Sequence, residues 1–169
     1  MINPATYYIH YLKQLKQLLN KISQSDKANL LNDRLHPNML DLHQQARTTI
    51  GFTLRSCCPL AGREIVNLSD NQYGIASLLR EIDLTIDYLA AIPPEHYSFE
   101  ENRTIKTTAG FAYLEFSPMD YFLIYTFPNF LFHYSMVFAI ARKSGLEIGK
   151  ADFDGCHKYP LGFSFTDAQ

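Results

Sequence analysis

Over the first part of the chain, apolar side chains return every three or four positions. Tyr8, Leu12, Leu15, Leu19 and Ile22 form one stripe, with Lys13, Gln14, Lys16 and Gln17 off it. That is the α-helical period. Asn3-Pro4 marks the start, because asparagine caps a helix and proline is tolerated at its first position. A polar break with room for one extra turn follows over residues 23–32. Met39, Leu42, Ala46, Ile50, Thr53 and Cys57 predict a second helix, from about Pro37-Asn38 to Pro59 and Gly62. Residues 65–71 connect it to a third. Ile75, Leu78, Leu79, Ile82, Ile86 and Leu89 place that helix over about 74–92, and Pro93-Pro94 stops it.

The texture then changes. Residues 103–108 and 111–116 are rich in Thr, Ile, Phe and Tyr and flank Ala109-Gly110, which predicts a β-hairpin. A last helix is expected over about 118–144. Pro128 kinks it or marks its true start, Arg142 and Lys143 sit in its final turn, and Gly145 caps it. Within it, Tyr121 to Ala141 holds no Asp, Glu, Lys or Arg and has the length of a bilayer span. Pro128, Asn129, His133 and scattered tyrosines point instead to the most buried helix of a bundle. Residues 146–169 are expected to pack over it. The chain therefore reads as one mainly α-helical domain, residues 1–169: an up-and-down four-helix bundle with a small β-hairpin before the last helix.

Composition narrows the function classes. At 169 residues and 47% apolar, the chain can bury a core without disulfides. A net charge of −2 offers no basic surface for a phosphate backbone, so no nucleic-acid partner is expected. Cys57, Cys58 and Cys156 are sparse and contain no CxxC pair, which fits a reducing compartment. The first residues lack the features of a signal peptide. The expectation is a cytoplasmic protein with no membrane partner.

Residues 145–150, GLEIGK, have one residue too few for a phosphate-binding loop, and the chain has no HExxH. None of the six histidines stands four residues from another. On a helical wheel His133 falls near Val137, Ile140 and Ala141, with Asn129 on the same side, so both are expected to point inward. The bland reading of the pair is a satisfied buried histidine and an asparagine bonded to backbone freed at Pro128. The sharper reading is a ligand site or acid–base group. His43 and Gln45 flank the apolar stripe of helix two, where either could reach inward. Asp41 suits the dipole of that helix, and Arg34 either pairs with a carboxylate or binds an anion. Asp152, Asp154, Cys156 and His157 cluster near the end, and Cys156 is the candidate reactive thiol.

Taken together, Arg34-Leu35, Pro37-Asn38-Met39, Leu42, Gln45, Leu60-Ala61-Gly62 and Phe127-Pro128-Asn129-Phe130-Leu131-Phe132-His133, followed by Gly145 and Gly149-Lys150-Ala151-Asp152-Phe153, resemble an uncharacterised family of the DinB-like superfamily. The resemblance spans nearly the whole chain. It implies a four-helix bundle, often a homodimer. It also implies a divalent metal, zinc or nickel, on three histidines: one from helix two and two from helix four spaced i, i+4. Some such proteins use the metal to activate a small thiol. This chain departs from the ligand pattern, because Asn129 and Val137 stand four residues on either side of His133, and helix two offers Gln45 and His43. Asn38 stands where the family usually has Asp, at a position expected to cap helix two.

Three functions follow. In the first, a small-molecule ligand or substrate binds among Asn129, His133, Gln45, Tyr125 and Tyr134, with Arg34 nearby and His133 as base or ligand. In the second, the chain is a non-catalytic dimer acting through its surface, in stress response. In the third, His43 and His133 hold a divalent metal for thiol-transfer chemistry.

Overall fold

The computed structural model describes residues 2–26, 29–160, 163 and 164. Helix α1, Pro4–Gln24, begins as its sequence requires: Asn3 Oδ1 accepts from the Ala5 N–H at 3.1 Å. Its stripe of Tyr8, Leu12, Leu15, Leu19 and Ile22 is buried. Full burial of one such leucine contributes roughly 1.5–3 kcal/mol. The polar break carries one 3-10 turn, Leu30–Asn32. Helices α2, Leu42–Leu60, and α3, Ile75–Ala90, follow. Strands β1, Ile105–Ala109, and β2, Ala112–Phe116, pair antiparallel with Ile105 opposite Phe116 and Ala109 opposite Ala112. Their two-residue turn needs a left-handed residue, and Gly110 supplies it at φ 59°. Helix α4 runs over Pro118–Lys143, and a short α5 over Lys150–Asp154. Helix α4 packs along α2, while α1 packs on α3, α2 and α5, which makes the four-helix bundle.

The start of α2 differs from the expectation. Its cap is Asp41, not Asn38. Asp41 Oδ1 accepts from the Gln44 N–H at 2.8 Å, and Gln44 Oε1 accepts from the Asp41 N–H at 3.2 Å. Two backbone donors are thus satisfied reciprocally, which outweighs a lone asparagine upstream. At the other end, Arg103 caps α2. Its guanidinium donates to Leu60 O at 3.0 Å and also to Pro59 O. This satisfies terminal carbonyls and ties the hairpin to the bundle.

Helix α4 meets one expectation and corrects another. It starts at Pro118, passes through a π-helical stretch, Tyr121–Thr126, and is α-helical over Phe127–Lys143 with Pro128 in the first turn. A proline there costs little, because it lacks an N–H that the wider turn leaves poorly placed in any case. Helix α4 is not, however, the most buried helix. That is α2, which buries residues on most of its circumference. Helix α4 is long and apolar enough to cross a membrane by length and composition alone. It buries Phe130, Tyr134, Val137, Ile140 and Ala141 against the bundle and leaves Leu123, Ile124 and Phe132 exposed.

Residues 146–154 lie over the bundle, as expected, and 161, 162 and 165–169 of the segment after α4 lie outside the described residues. Gly145 turns the chain at φ 81°. Lys21 then pairs with Asp152 at 2.6 Å, and the His10 ring meets Asp154 O at 2.8 Å.

Candidate functional site

The polar side chains on facing sides of α2 and α4 meet in one seam. Gln45, Phe52 and Ser56 stand seven and four residues apart on α2 and share a face. Tyr125, Asn129 and His133 repeat every fourth residue on α4. His133 Nδ1 lies 2.7 Å from Gln45 Oε1, and the Phe52 ring stacks on the imidazole at 5.6 Å. Phe52 meets Tyr125 edge-on at 6.1 Å, and Tyr125 stacks on Phe116 of β2 at 5.5 Å. Deeper in, the Ser56 and Thr126 hydroxyls bond at 2.8 Å, and Tyr121 donates to Arg55 O at 2.6 Å.

The bond between Gln45 and His133 fixes the chemistry of the imidazole. Gln45 is buried, and its amide nitrogen donates to Leu40 O at 3.4 Å. Its oxygen therefore faces His133 and can only accept. Nδ1 must carry the proton, which leaves Nε2 with a free lone pair. Nε2 has no hydrogen bond among the described residues and is not sealed from solvent. Burial, helped by the positive charge of Arg55, holds the His133 pKa below the ordinary histidine value. The ring is thus neutral at pH 7, with one nitrogen anchored and the other open.

Asn129 matches the bland expectation for half of its amide. Its nitrogen donates to Tyr125 O at 2.7 Å, next to the π-helical stretch. Its oxygen makes no hydrogen bond among the described residues.

Three predicted site residues lie elsewhere. Tyr134 is fully buried on another side of α4 and donates to Phe153 O at 2.6 Å. Arg34 pairs with Asp41 at 3.5 Å, beside the α2 cap. His43 is two residues from Gln45, hence roughly 200° around the helix. It is buried and stacks on Tyr73 at 4.2 Å, and its Nε2 has no hydrogen-bond partner among the described residues. Burial and Arg47 lower its pKa, against an opposing pull from Asp41. Sequence reasoning missed Phe52 and Arg55. The guanidinium of Arg55 lies 5.1 Å from the centre of the Phe52 ring.

A three-histidine metal centre does not match these donors. His133 offers one nitrogen and Asn129 one neutral amide oxygen, while Gln45 Oε1 is already engaged by the imidazole. Among the described residues, no group of three or more His, Cys, Asp or Glu is placed to hold a metal. Near the C-terminal end, Asp154 pairs with His157, backbone N–H groups hold its carboxyl down at about 2, and Cys156 is exposed.

The fold has a solved counterpart. A DinB family member protein from Shewanella denitrificans superposes with a TM-score of 0.77 over 92% of this chain and 91% of that one, at 22% identity. At that identity the likeness is one of fold. No protein with a curated description matches the chain. A family model described as a domain of unknown function (DUF1993) matches residues 4–154, from the first turn of α1 to the last residue of α5, and the chain belongs to that family.

Proposed function

We propose that this chain binds a small molecule at the α2–α4 seam, with His133 as hydrogen-bond acceptor or general base. One observation carries the reading: a neutral imidazole whose Nδ1–H is held by Gln45 while Nε2 stays open. The anchored nitrogen fixes the ring, and the open one is free to accept a proton or hydrogen bond from a ligand. Asn129 Oδ1, one turn away, adds a second acceptor, and the Phe52 and Tyr125 rings add apolar wall. Together these are the few convergent polar groups on an aromatic surface that mark small-molecule sites. The test is a thermal-shift screen of small organic compounds against wild type and His133→Ala. A hit that stabilises wild type and not the folded variant supports the reading. Hits that stabilise both equally would sink it.

A second reading, a homodimer acting through its surface, is supported by exposed apolar side chains. Leu123, Ile124 and Phe132 of α4 are all more than half exposed, and Phe111 and Tyr113 of the hairpin almost fully so. Where such side chains join into one apolar patch, a partner surface commonly covers it. Sedimentation of wild type and Ile124→Lys decides it: a dimer that the lysine splits is the expected outcome. The sparse, unpaired Cys57, Cys58 and Cys156 suit a cytoplasmic setting. Metal analysis of untagged protein tests the thiol-transfer reading, for which the donor set gives the least support.

A further inference from the structure

A groove of about 300 Å³ lies between α2 and the segment joining it to α3. Neither Gln45 nor His133 lines it. We infer that this groove is a second ligand site, which takes a small organic carboxylate through Arg55.

Its floor is built by spacing. Arg47, Gly51 and Arg55 recur every fourth residue and so share a face of α2. A Cβ at Gly51 would meet nothing within 4 Å. The missing side chain therefore opens space between two guanidinium groups.

Those two cations differ in what they already hold. Arg47 donates from Nε to Glu81 at 3.2 Å, and from Nη2 to Gln72 O at 2.7 Å and Ser77 Oγ at 3.0 Å. It cancels the charge of Glu81, the one carboxylate on the lining. Arg55 is exposed and has no carboxylate partner among the described residues; its guanidinium lies over the Phe52 ring. The lining therefore carries one uncompensated positive charge.

The geometry selects the ligand class. A guanidinium fork matches the two oxygens of a carboxylate. One surplus positive charge balances a monoanion, and a phosphate dianion would remain undercompensated beside Glu81. Leu54, Ile65 and Val66 give an apolar wall for the body of the ligand, and Asn67 adds a polar edge.

The test uses benzoate as probe on the full chain, followed by amide NMR at constant ionic strength. Saturable shifts are expected over residues 47–55 and 65–71, in wild type and in His133→Ala alike. Arg55→Gln removes the charge. Gly51→Leu fills the groove and keeps Arg55; it sits in regular helix with open space above it. Each should weaken benzoate by about tenfold or more, the scale of a lost charge-assisted hydrogen bond. Both positions are helical and not buried, so both variants should fold, and either alone decides. Several results would overturn the inference: no saturation, an equal response to chloride, a response to phosphate in place of benzoate, or binding that survives in a folded variant. Loss of benzoate in His133→Ala would overturn it too, by placing the site in the seam.

Discussion

His133 and Tyr134 are adjacent in the chain and belong to different regions of the molecule. Tyr134 looks into a closed aromatic cluster. Its ring stacks on Phe153 at 4.7 Å and meets Tyr11 edge-on at 5.7 Å, and its hydroxyl is satisfied by Phe153 O. His133 looks along the α2–α4 seam, half-buried, with one nitrogen satisfied and one open. A rotation of about 100° on one helix separates them. What distinguishes a candidate site from core is therefore not polarity or burial alone. It is a polar atom held in place by its neighbour and left available.

The contrast can be broken most forcefully on the closed side. Tyr134→Ala should cost about 3–5 kcal/mol of unfolding free energy, as deletion of a large core ring does. Tyr134→Phe should lose about 1 kcal/mol, the worth of the bond to Phe153. Urea denaturation measures both. If Tyr134→Ala proved nearly neutral, the cluster would not be core.

On the open side no effect should match that of Tyr134→Ala. Gln45→Leu leaves the His133 Nδ1–H without its acceptor and should cost about 1–2 kcal/mol. It should also release the tautomer, so nitrogen NMR of His133 would show Nε2–H appearing. An unchanged spectrum would mean that Gln45 does not set the proton.

Acidity gives a third probe. His133 and His43 both titrate below the ordinary value of 6.5 in the folded chain. Between those depressed values and 6.5 the unfolded chain binds more protons, so stability rises with pH. Their full contribution is present above 6.5 and is lost as pH falls through the folded-state values. Thermal melts from pH 7 to pH 5 should show the decline, and His133→Gln should make it shallower. An unaltered slope would remove His133 as its source.

The smallest effect is expected at His43. His43→Phe keeps the stack on Tyr73 and removes a buried nitrogen that has no partner among the described residues, so stability should move by less than about 1 kcal/mol. A loss well beyond that would reveal a bond to that nitrogen.

Much of the fold was legible in the residues. The α1 stripe, its Asn3 cap, the hairpin and the Gly145 turn all follow from local chemistry. The Asp41 cap was legible too, since Gln44 stands three residues on; Pro37-Asn38 drew attention upstream. The burial of α4 was not, because apolar content cannot tell core from exposed surface, and Leu123, Ile124 and Phe132 are apolar and exposed. Within the site, the periodicity brought Asn129 and His133 together on one side. Grouping Tyr134 with them ignored that neighbours on a helix diverge. Arg55 escaped notice because its role depends on the Phe52 ring and on a vacancy at Gly51, neither of which is visible from charge alone.

The π-helical stretch Tyr121–Thr126 acts as a gearing element in α4. Each wide turn holds about one residue more than an α-turn. Within the stretch, Tyr121 and Tyr125 are set against Phe116 of the hairpin; downstream, His133 is set against Gln45. Deleting one residue from the stretch would tighten it into α-helix and turn one half against the other by about 100°. Tyr125 could then no longer meet Phe116 while His133 meets Gln45. The chain length between Pro118 and Pro128 is thus under a constraint that no single side chain reveals, and a one-residue gap there would cost more than most substitutions nearby.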